Sequence, residues 1–358
     1  MTEGPAFQVA LATRASRAGS VVALVLGAFL TSLPFWADAG FMRDFDEVAC
    51  YLMFAMMWNL LAGYGGMVSI GQQAFLGLGG YALLVMGNFL GINPFVAVPL
   101  AALITALFAV PVAALAFRLK GGYFAIGTWV ISDVVRLTIA NVSAVGGGSG
   151  TSFTALRGIE KSTRISVTFW MCLVGSVLTI GLTYWLLRSR HGLSLLAIRD
   201  SESASESQGV NVAATKLGVY LLAAFGSGLA GALYFLGNLR ISPDAAFTIN
   251  WTAFSIFIVM IGGIGTIEGP IVGVLVFYIL NRLFSDYGTW YLVALGGLAI
   301  ATTIKFPRGL WGFLSQKYDL HFFPVRRRLL LPPGVAKDST MPPPKEPSHA
   351  QPERVQSH

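Results

Sequence analysis

Charge is what this sequence has least of. Only 11% of its 358 residues are Asp, Glu, Lys or Arg, against about 25% in an ordinary soluble domain. Hydrophobic residues make up 55% and mean hydropathy is +0.68. One or two water-surrounded cores could not bury that much apolar surface. A soluble enzyme, a nucleic-acid module and a disordered chain are excluded, and a polytopic membrane protein is implied. Cysteine is nearly absent. Cys50 and Cys172 both fall in apolar runs, where buried thiols are expected and a disulfide has no support. The four histidines (His191, His321, His349, His358) have no partners at metal-ligand spacing, so no metal is expected. No Ser/His/Asp set, Cys/His set or carboxylate pair lies at membrane depth, which leaves an enzyme reading with little to stand on.

Two glycine patterns imitate nucleotide sites. Gly226-Ser-Gly228-Leu-Ala-Gly231 matches G-x-G-x-x-G, but that pattern binds dinucleotides only between a strand and a helix. Inside an apolar run, small residues that let helices approach closely explain it better. Gly146-Gly147-Gly148-Ser149-Gly150 lacks the Lys-Ser/Thr of a phosphate loop. It reads as a flexible outer loop. The chain is expected to bind no cofactor of its own.

A helix needs about 20 apolar residues to cross a bilayer. Candidate spans cover residues 20–36, 48–63, 67–92, 94–117, 122–141, 165–187, 217–239, 250–266, 269–286 and 289–304. The first reads as a retained anchor, because no A-x-A-like cleavage site follows it. The expected fold is therefore an all-α polytopic membrane protein of about ten transmembrane helices, some interrupted by glycine. Residues 1–19 form a cytoplasmic N-terminus, 20–304 the membrane domain and 305–358 a cytoplasmic tail. With this topology 17 of the 24 Lys and Arg lie inside, as the positive-inside rule asks. The outer segment 142–164, with three cations, fits worst. After about residue 320 the tail holds Arg326, Arg327 and Arg328 and half of the 16 prolines, a composition expected to stay disordered.

Three apolar segments carry unusual residues. Residues 63–81 hold seven glycines, among them Gly65, Gly66 and Gly71, together with Ser69, Gln72 and Gln73. Amides in lipid cost several kcal/mol unless they face protein or a wet cavity. Broken helices that line a pathway have this composition, and so does tight packing with Gln-to-backbone bonds. Residues 122–141 hold Asp133 and Arg136, three apart on one helical face and able to pair. They serve either as a structural pair or as a solute contact. Residues 261–273 hold Gly262, Gly263, Gly265, Gly269 and Gly273 with Glu268 and Pro270. The last two predict a break near the inner face. The inner loop 188–216 places Leu193, Leu196 and Ala197 at helical spacing, and Ser201 can cap a short helix ending at Gly209. Either a solvated connector or a docking helix fits.

In order and spacing these segments, with Tyr287-Gly-Thr-Trp-Tyr-Leu292 and Lys305-Phe-Pro-Arg-Gly-Leu-Trp-Gly312, resemble the LivM-type permease of bacterial branched-chain amino acid ABC importers over roughly residues 45–315. The resemblance implies several partners: a second related permease, two cytosolic ATPase subunits that use ATP and Mg, and a periplasmic binding protein that delivers the solute. It places the chain in the inner membrane with both termini cytoplasmic. It makes 188–216 the coupling loop, with Leu193, Leu196, Ser203, Ala204, Ser205, Glu206, Gly209 and Asn211 at the contact. The general importer pattern there is Glu-Ala-Ala, three residues, then Gly. Here Ser203, Ala204 and Ser205 fill the triplet and Gly209 the glycine, so the first Glu is missing while Glu202 and Glu206 stand nearby. Ser69, Gln72, Gln73, Asp133 and Arg136 are the candidates for the path or its support. A permease for urea or short amides shares much of the pattern. An ion-coupled secondary carrier would need an intramembrane acid as its relay; Asp133 is the candidate, but Arg136 would hold it ionised.

Overall fold

A computed structural model describes residues 8–10, 25–284, 288–318, 322–323 and 328–330. The regular elements are helical apart from four strands of two or three residues. Each of the ten apolar segments carries a helix. They are α1 (Val25–Phe35), α2 (Ala39–Asn59), α3 (Gln73–Asn88), α4 (Pro94–Ala116), α5 (Gly122–Ala140) and α6 (Lys161–Arg188). The inner loop then forms α7 (Arg190–Asp200) and α8 (Glu202–Ser207), and the bundle resumes with α9 (Val212–Asn238). A short α10 (Pro243–Ala246) precedes α11 (Asn250–Gly262), α12 (Glu268–Phe284), α13 (Thr289–Lys305) and α14 (Gly309–Tyr318).

Among the described residues, six stretches are long and apolar enough to cross a membrane: Ala39–Tyr64, Pro94–Ala116, Gly122–Ala140, Lys161–Arg188, Val212–Asn238 and Pro243–Gly262. The count of ten spans is therefore not reached on length alone. The reason is visible in α3, α12 and α13, which have 16, 17 and 17 residues. Glycine-rich irregular backbone shortens the first two. Such backbone survives at membrane depth only when protein covers it, and Ser69, Gln72 and Gln73 are all buried.

Local signals set the ends. Asp38 caps α2 by accepting from the Gly40 amide at 2.7 Å. Asn93 caps α4 by accepting from the Phe95 amide at 3.0 Å, with Pro94 at the first helical position. Helix α2 starts nine residues before the predicted span, which brings Asp44, Asp46 and Glu47 into its first turns. Asp44 accepts from Tyr278 Oη at 2.8 Å and Arg282 Nη1 at 2.7 Å, so the charges tie α2 to α12.

Helix α9 is the axis of the bundle, touching α2, α3, α4 and α6. The glycines of the false dinucleotide motif are the contact points. A Cβ on Gly226 would reach the Met57 side chain at 2.5 Å, and one on Gly228 would reach Thr105 at 2.7 Å. One on Gly231 would overlap the Leu76 carbonyl of α3. Small residues let backbones meet here, as membrane helices without a hydrophobic drive between them require.

The run Gly146–Gly150, expected as a flexible outer loop, lies among short regular elements. Residues 143–149 form two short 3-10 turns, and Gly150 (φ 73°) packs where a Cβ would overlap the Ile241 carbonyl. Strand β2 (Thr151–Ser152) pairs with β3 (Arg240–Ile241). Asn88 fastens the loop to α3: its Nδ2 donates to Ser152 O at 3.1 Å, and its Oδ1 accepts from the amides of Thr154 and Ala155. At the other end, Gln8–Ala10 (β1) pairs antiparallel with Arg328–Leu330 (β4), joining the two ends of the chain. Of the tail expected to be disordered after about residue 320, residues 322–323 and 328–330 are described, the latter as β4, and the rest lies outside the described residues.

Candidate functional site: two glycine breaks, a charged helix face and a two-helix loop

The first break begins where α2 widens into a turn of π-helix, Leu60–Tyr64. Gly65 closes that turn, and Gly66 takes φ 67°, a conformation that costs other residues strain. The chain then runs irregularly to α3. Trp58 Nε1 donates to the Ser69 carbonyl at 2.9 Å, and the Ile70 amide donates to Thr128 Oγ1 of α5 at 3.3 Å. Gly71 lies so close to α5 that a Cβ would overlap the Thr128 carbonyl. The two glutamines then knit the start of α3 into the bundle. Gln72 Nε2 donates to Ser227 Oγ of α9 at 2.8 Å. Gln73 Oε1 accepts from the Thr252 hydroxyl of α11. Gln72 Oε1 is buried with no partner among the described residues.

The second break separates α11 from α12. Gly262 is the last residue of α11; Gly263 (φ 136°) and Gly265 (φ 73°) turn the chain. Gly269 and Gly273 lie within α12, facing α11: a Cβ on Gly262 would overlap the Gly269 carbonyl, and one on Gly273 the Ile258 carbonyl. Gly265, Gly269 and Gly273 are spaced four apart, as one helical stripe would require, but Gly265 stands outside the helix, so they do not form one. Glu268 opens α12 and Pro270 occupies its first turn.

Asn59 joins the breaks. It is fully buried; its Nδ2 donates to Thr266 O at 2.8 Å and its Oδ1 accepts from the Gly265 amide at 2.9 Å. One side chain thus satisfies both a carbonyl and an amide that left their helices, as buried backbone groups require. Sequence reasoning passed over Asn59. A lone amide four residues before Gly63 inside an apolar run was the available signal.

Asp133 and Arg136 lie on α5. Arg136 Nε donates to Asp133 Oδ1 at 2.8 Å, while Nη1 donates to Asp244 Oδ1 of α10 at 2.9 Å. Asp244, also missed from sequence, makes the pair a triad linking two elements. Asp133 sits among the exposed apolar side chains Ile126, Trp129, Val130 and Leu137. Helix α5 also presents the buried Thr128 and Ser132 on its inner side.

The loop 188–216 forms two helices rather than one. Ser201 separates them and caps α8, its Oγ accepting from the Ala204 amide at 3.3 Å. Leu195 and Ile198 of α7 are buried in the bundle, while Leu193 is 63% exposed and Leu196 half-buried. Ser203, Ala204, Glu206, Gly209 and Asn211 are exposed, and Ser205 is buried. Lys216 Nζ contacts Glu202 Oε2 at 2.7 Å, holding α8 against α9, which Asn211 caps. Gly209 takes φ 82°. The loop is thus a small two-helix platform with Ser203 and Ala204 outward and Ser205 turned into the bundle.

Residues 47–303 match the family model described as branched-chain amino acid transport system / permease component. The chain is 25% identical over 303 residues to the high-affinity branched-chain amino acid transport system permease protein LivM of Salmonella typhimurium, covering 77% of this chain and 71% of that one. The LivM of Escherichia coli gives the same figures. The galactose/methyl galactoside import permease protein MglC of Salmonella typhimurium is 30% identical over 131 residues, 32% of this chain and 37% of the other. No solved structure matches. The family match covers most of the chain, and the chain belongs to that family: it is a permease component of a branched-chain amino acid ABC transport system, a transport subunit rather than an enzyme.

Proposed function

We propose that this subunit works with a second permease, two cytosolic ATPases and a periplasmic binding protein to import branched-chain amino acids. The solute crosses along α5. The observation that carries this is the position of the Asp133–Arg136–Asp244 triad. It sits in the exposed face of a span of which only 17% is buried. Charged groups at membrane depth face protein or a wet cavity rather than lipid, so a second subunit and an aqueous path cover this face. Apolar neighbours such as Ile126 and Leu137 suit an aliphatic side chain, and the triad suits the charges of an amino acid. Ser69, Gln72 and Gln73 lie behind this face and support it; Gln72 Oε1 remains a free buried acceptor.

The platform α7–α8 receives the ATPases, with Leu193 and the Ser203–Ala204 edge outward. ATP closes the ATPase pair, the platform moves, and the bundle shifts between outward and inward openings. Both termini lie on the same cytoplasmic face, which the β1–β4 pairing supports. An ion-coupled carrier fits less well, because Arg136 bonds Asp133 directly and an ion-paired carboxylate is a poor proton relay.

The test is uptake by the complete transporter in vesicles, with binding protein outside and ATP inside. Leucine uptake that needs ATP and survives a proton uncoupler is expected. ATP-driven uptake of urea or acetamide without leucine would overturn the solute assignment. Uptake abolished by the uncoupler and indifferent to ATP would overturn the mechanism.

A further inference from the structure

We infer that Arg199 is the positioning residue through which movement of the inner loop reaches both glycine breaks at once. This rests on the reading of 188–216 as the loop that the ATPases engage. Arg199 stands in the last turn of α7, the helix anchored in the bundle by Leu195 and Ile198. Its Nη1 donates to the Gly63 carbonyl. That carbonyl belongs to the last turn of the α2 stretch, where the chain leaves the helix and carbonyls lose their intrahelical donors. A cation there also meets the negative end of the helix dipole.

The rest of the side chain touches the same junction. A Cβ on Gly66 would lie 3.3 Å from Arg199 Cγ, so the stem rests on the residue that turns the first break. A Cβ on Gly265 would lie 3.5 Å from Arg199 Nη1 and 3.4 Å from the Gly63 carbonyl oxygen. Arginine, first break and second break therefore converge at one point. Asn59, one turn before Gly63, holds Gly265 and Thr266 by two hydrogen bonds. A displacement of α7 pulls on Gly63 through the guanidinium, and Asn59 carries the pull to the second break. The hinge positions are already there: Gly66, Gly263 and Gly265 all have positive φ. Arg199 is itself exposed, so its removal opens no cavity in the core. The Gly63 residue it meets is buried, so copurification of the ATPases is read beside transport to separate a folding role from linkage.

The experiment uses the whole transporter in vesicles, comparing wild type, Arg199→Ala, Arg199→Lys and Leu193→Asp. Three quantities are read: copurification of the ATPases, ATP hydrolysis, and radiolabelled leucine imported per ATP. Loss of one charge-assisted hydrogen bond shifts an equilibrium by roughly tenfold or more. Arg199→Ala is expected to keep its ATPases and its hydrolysis while import per ATP falls about tenfold. Arg199→Lys keeps stem and charge and recovers part of the loss. An unchanged ratio in Arg199→Ala overturns the inference. So does a variant that no longer holds its ATPases, because the arginine would then serve the fold or the dock. Leu193→Asp separates the two ideas. If it assembles and transports normally, the docking reading fails and the Arg199 inference with it. If it is defective while Arg199→Ala is normal, the Arg199 inference alone fails.

Discussion

Helices α9 and α5 are both apolar spans, and they do opposite things with their surfaces. In α9, 78% of the apolar window is buried; in α5, 17% is. Hydrophobicity does not separate them, since lipid is as apolar as leucine and gives no drive for one helix to seek another. Glycine placement does. Gly226, Gly228 and Gly231 each lie under a neighbouring helix, whereas a Cβ on Gly127 of α5 would meet only the Leu119 side chain. The charges follow the same division. Helix α9 carries no charge after Lys216, while α5 carries two members of the triad, Asp133 and Arg136, in its open face. On the proposed reading, a span closed by glycine is scaffold, and a span left open with charges in it is kept for a partner and a path.

The comparison breaks first at its packed end. Gly231→Leu drives a side chain into the Leu76 carbonyl, and backbone cannot step aside as a flexible side chain can. Overpacking usually costs about 1–3 kcal/mol and here falls at or above the top of that range. Loss of monodisperse protein after detergent extraction is the expected result. Gly127→Leu, on the open helix, should leave the yield near wild type. Equal yields for the two variants would dissolve the distinction between scaffold and open face.

Arg136→Ala attacks the open end. The monomer should remain folded, because all three members of the triad are at least part-exposed. Leucine uptake should fall by about an order of magnitude, the scale on which losing a charge-assisted bond acts. Normal membrane level together with normal uptake would remove Arg136 from the path.

How much of this was legible beforehand depends on the range of the interaction. The Asp133–Arg136 pair spans three residues of one helix, so spacing alone announced it. The third member, Asp244, is 108 positions away from Arg136, and no local pattern could point to it. The cap at Ser201 and the turn at Gly209 were readable for the same local reason, but the division of the loop into two helices was not. Which of Leu193 and Leu195 would face inward depends on the position of the bundle, and the sequence places both in one apolar run. In the run Gly146–Gly150 glycine reads from sequence only as freedom. There it serves close packing against Ile241, which lies 91 residues from Gly150. Asn59 offered a local signal as a lone amide in an apolar run, but its role could not be read because its two partners lie more than 200 residues away.

The smallest expected effect is also the most diagnostic, because adjacent glutamines with equal burial differ in what they leave behind. Gln73→Leu removes the acceptor of the Thr252 hydroxyl, a buried bond between α3 and α11, and should cost about 1–2 kcal/mol of stability. Gln72→Leu removes a carbonyl that already lacks a partner, and Ser227 Oγ still donates to the Ala223 carbonyl at 2.7 Å. Its stability cost should stay below about 1 kcal/mol. The order reverses for transport if Gln72 meets solute or path water. Gln72→Leu should then lower uptake severalfold while thermal unfolding of the purified subunit hardly moves, and Gln73→Leu should lower the unfolding temperature more than it lowers uptake. Should Gln72→Leu leave both measurements unchanged, its free carbonyl has no functional partner, and the first break serves only to let α3 pack against α9.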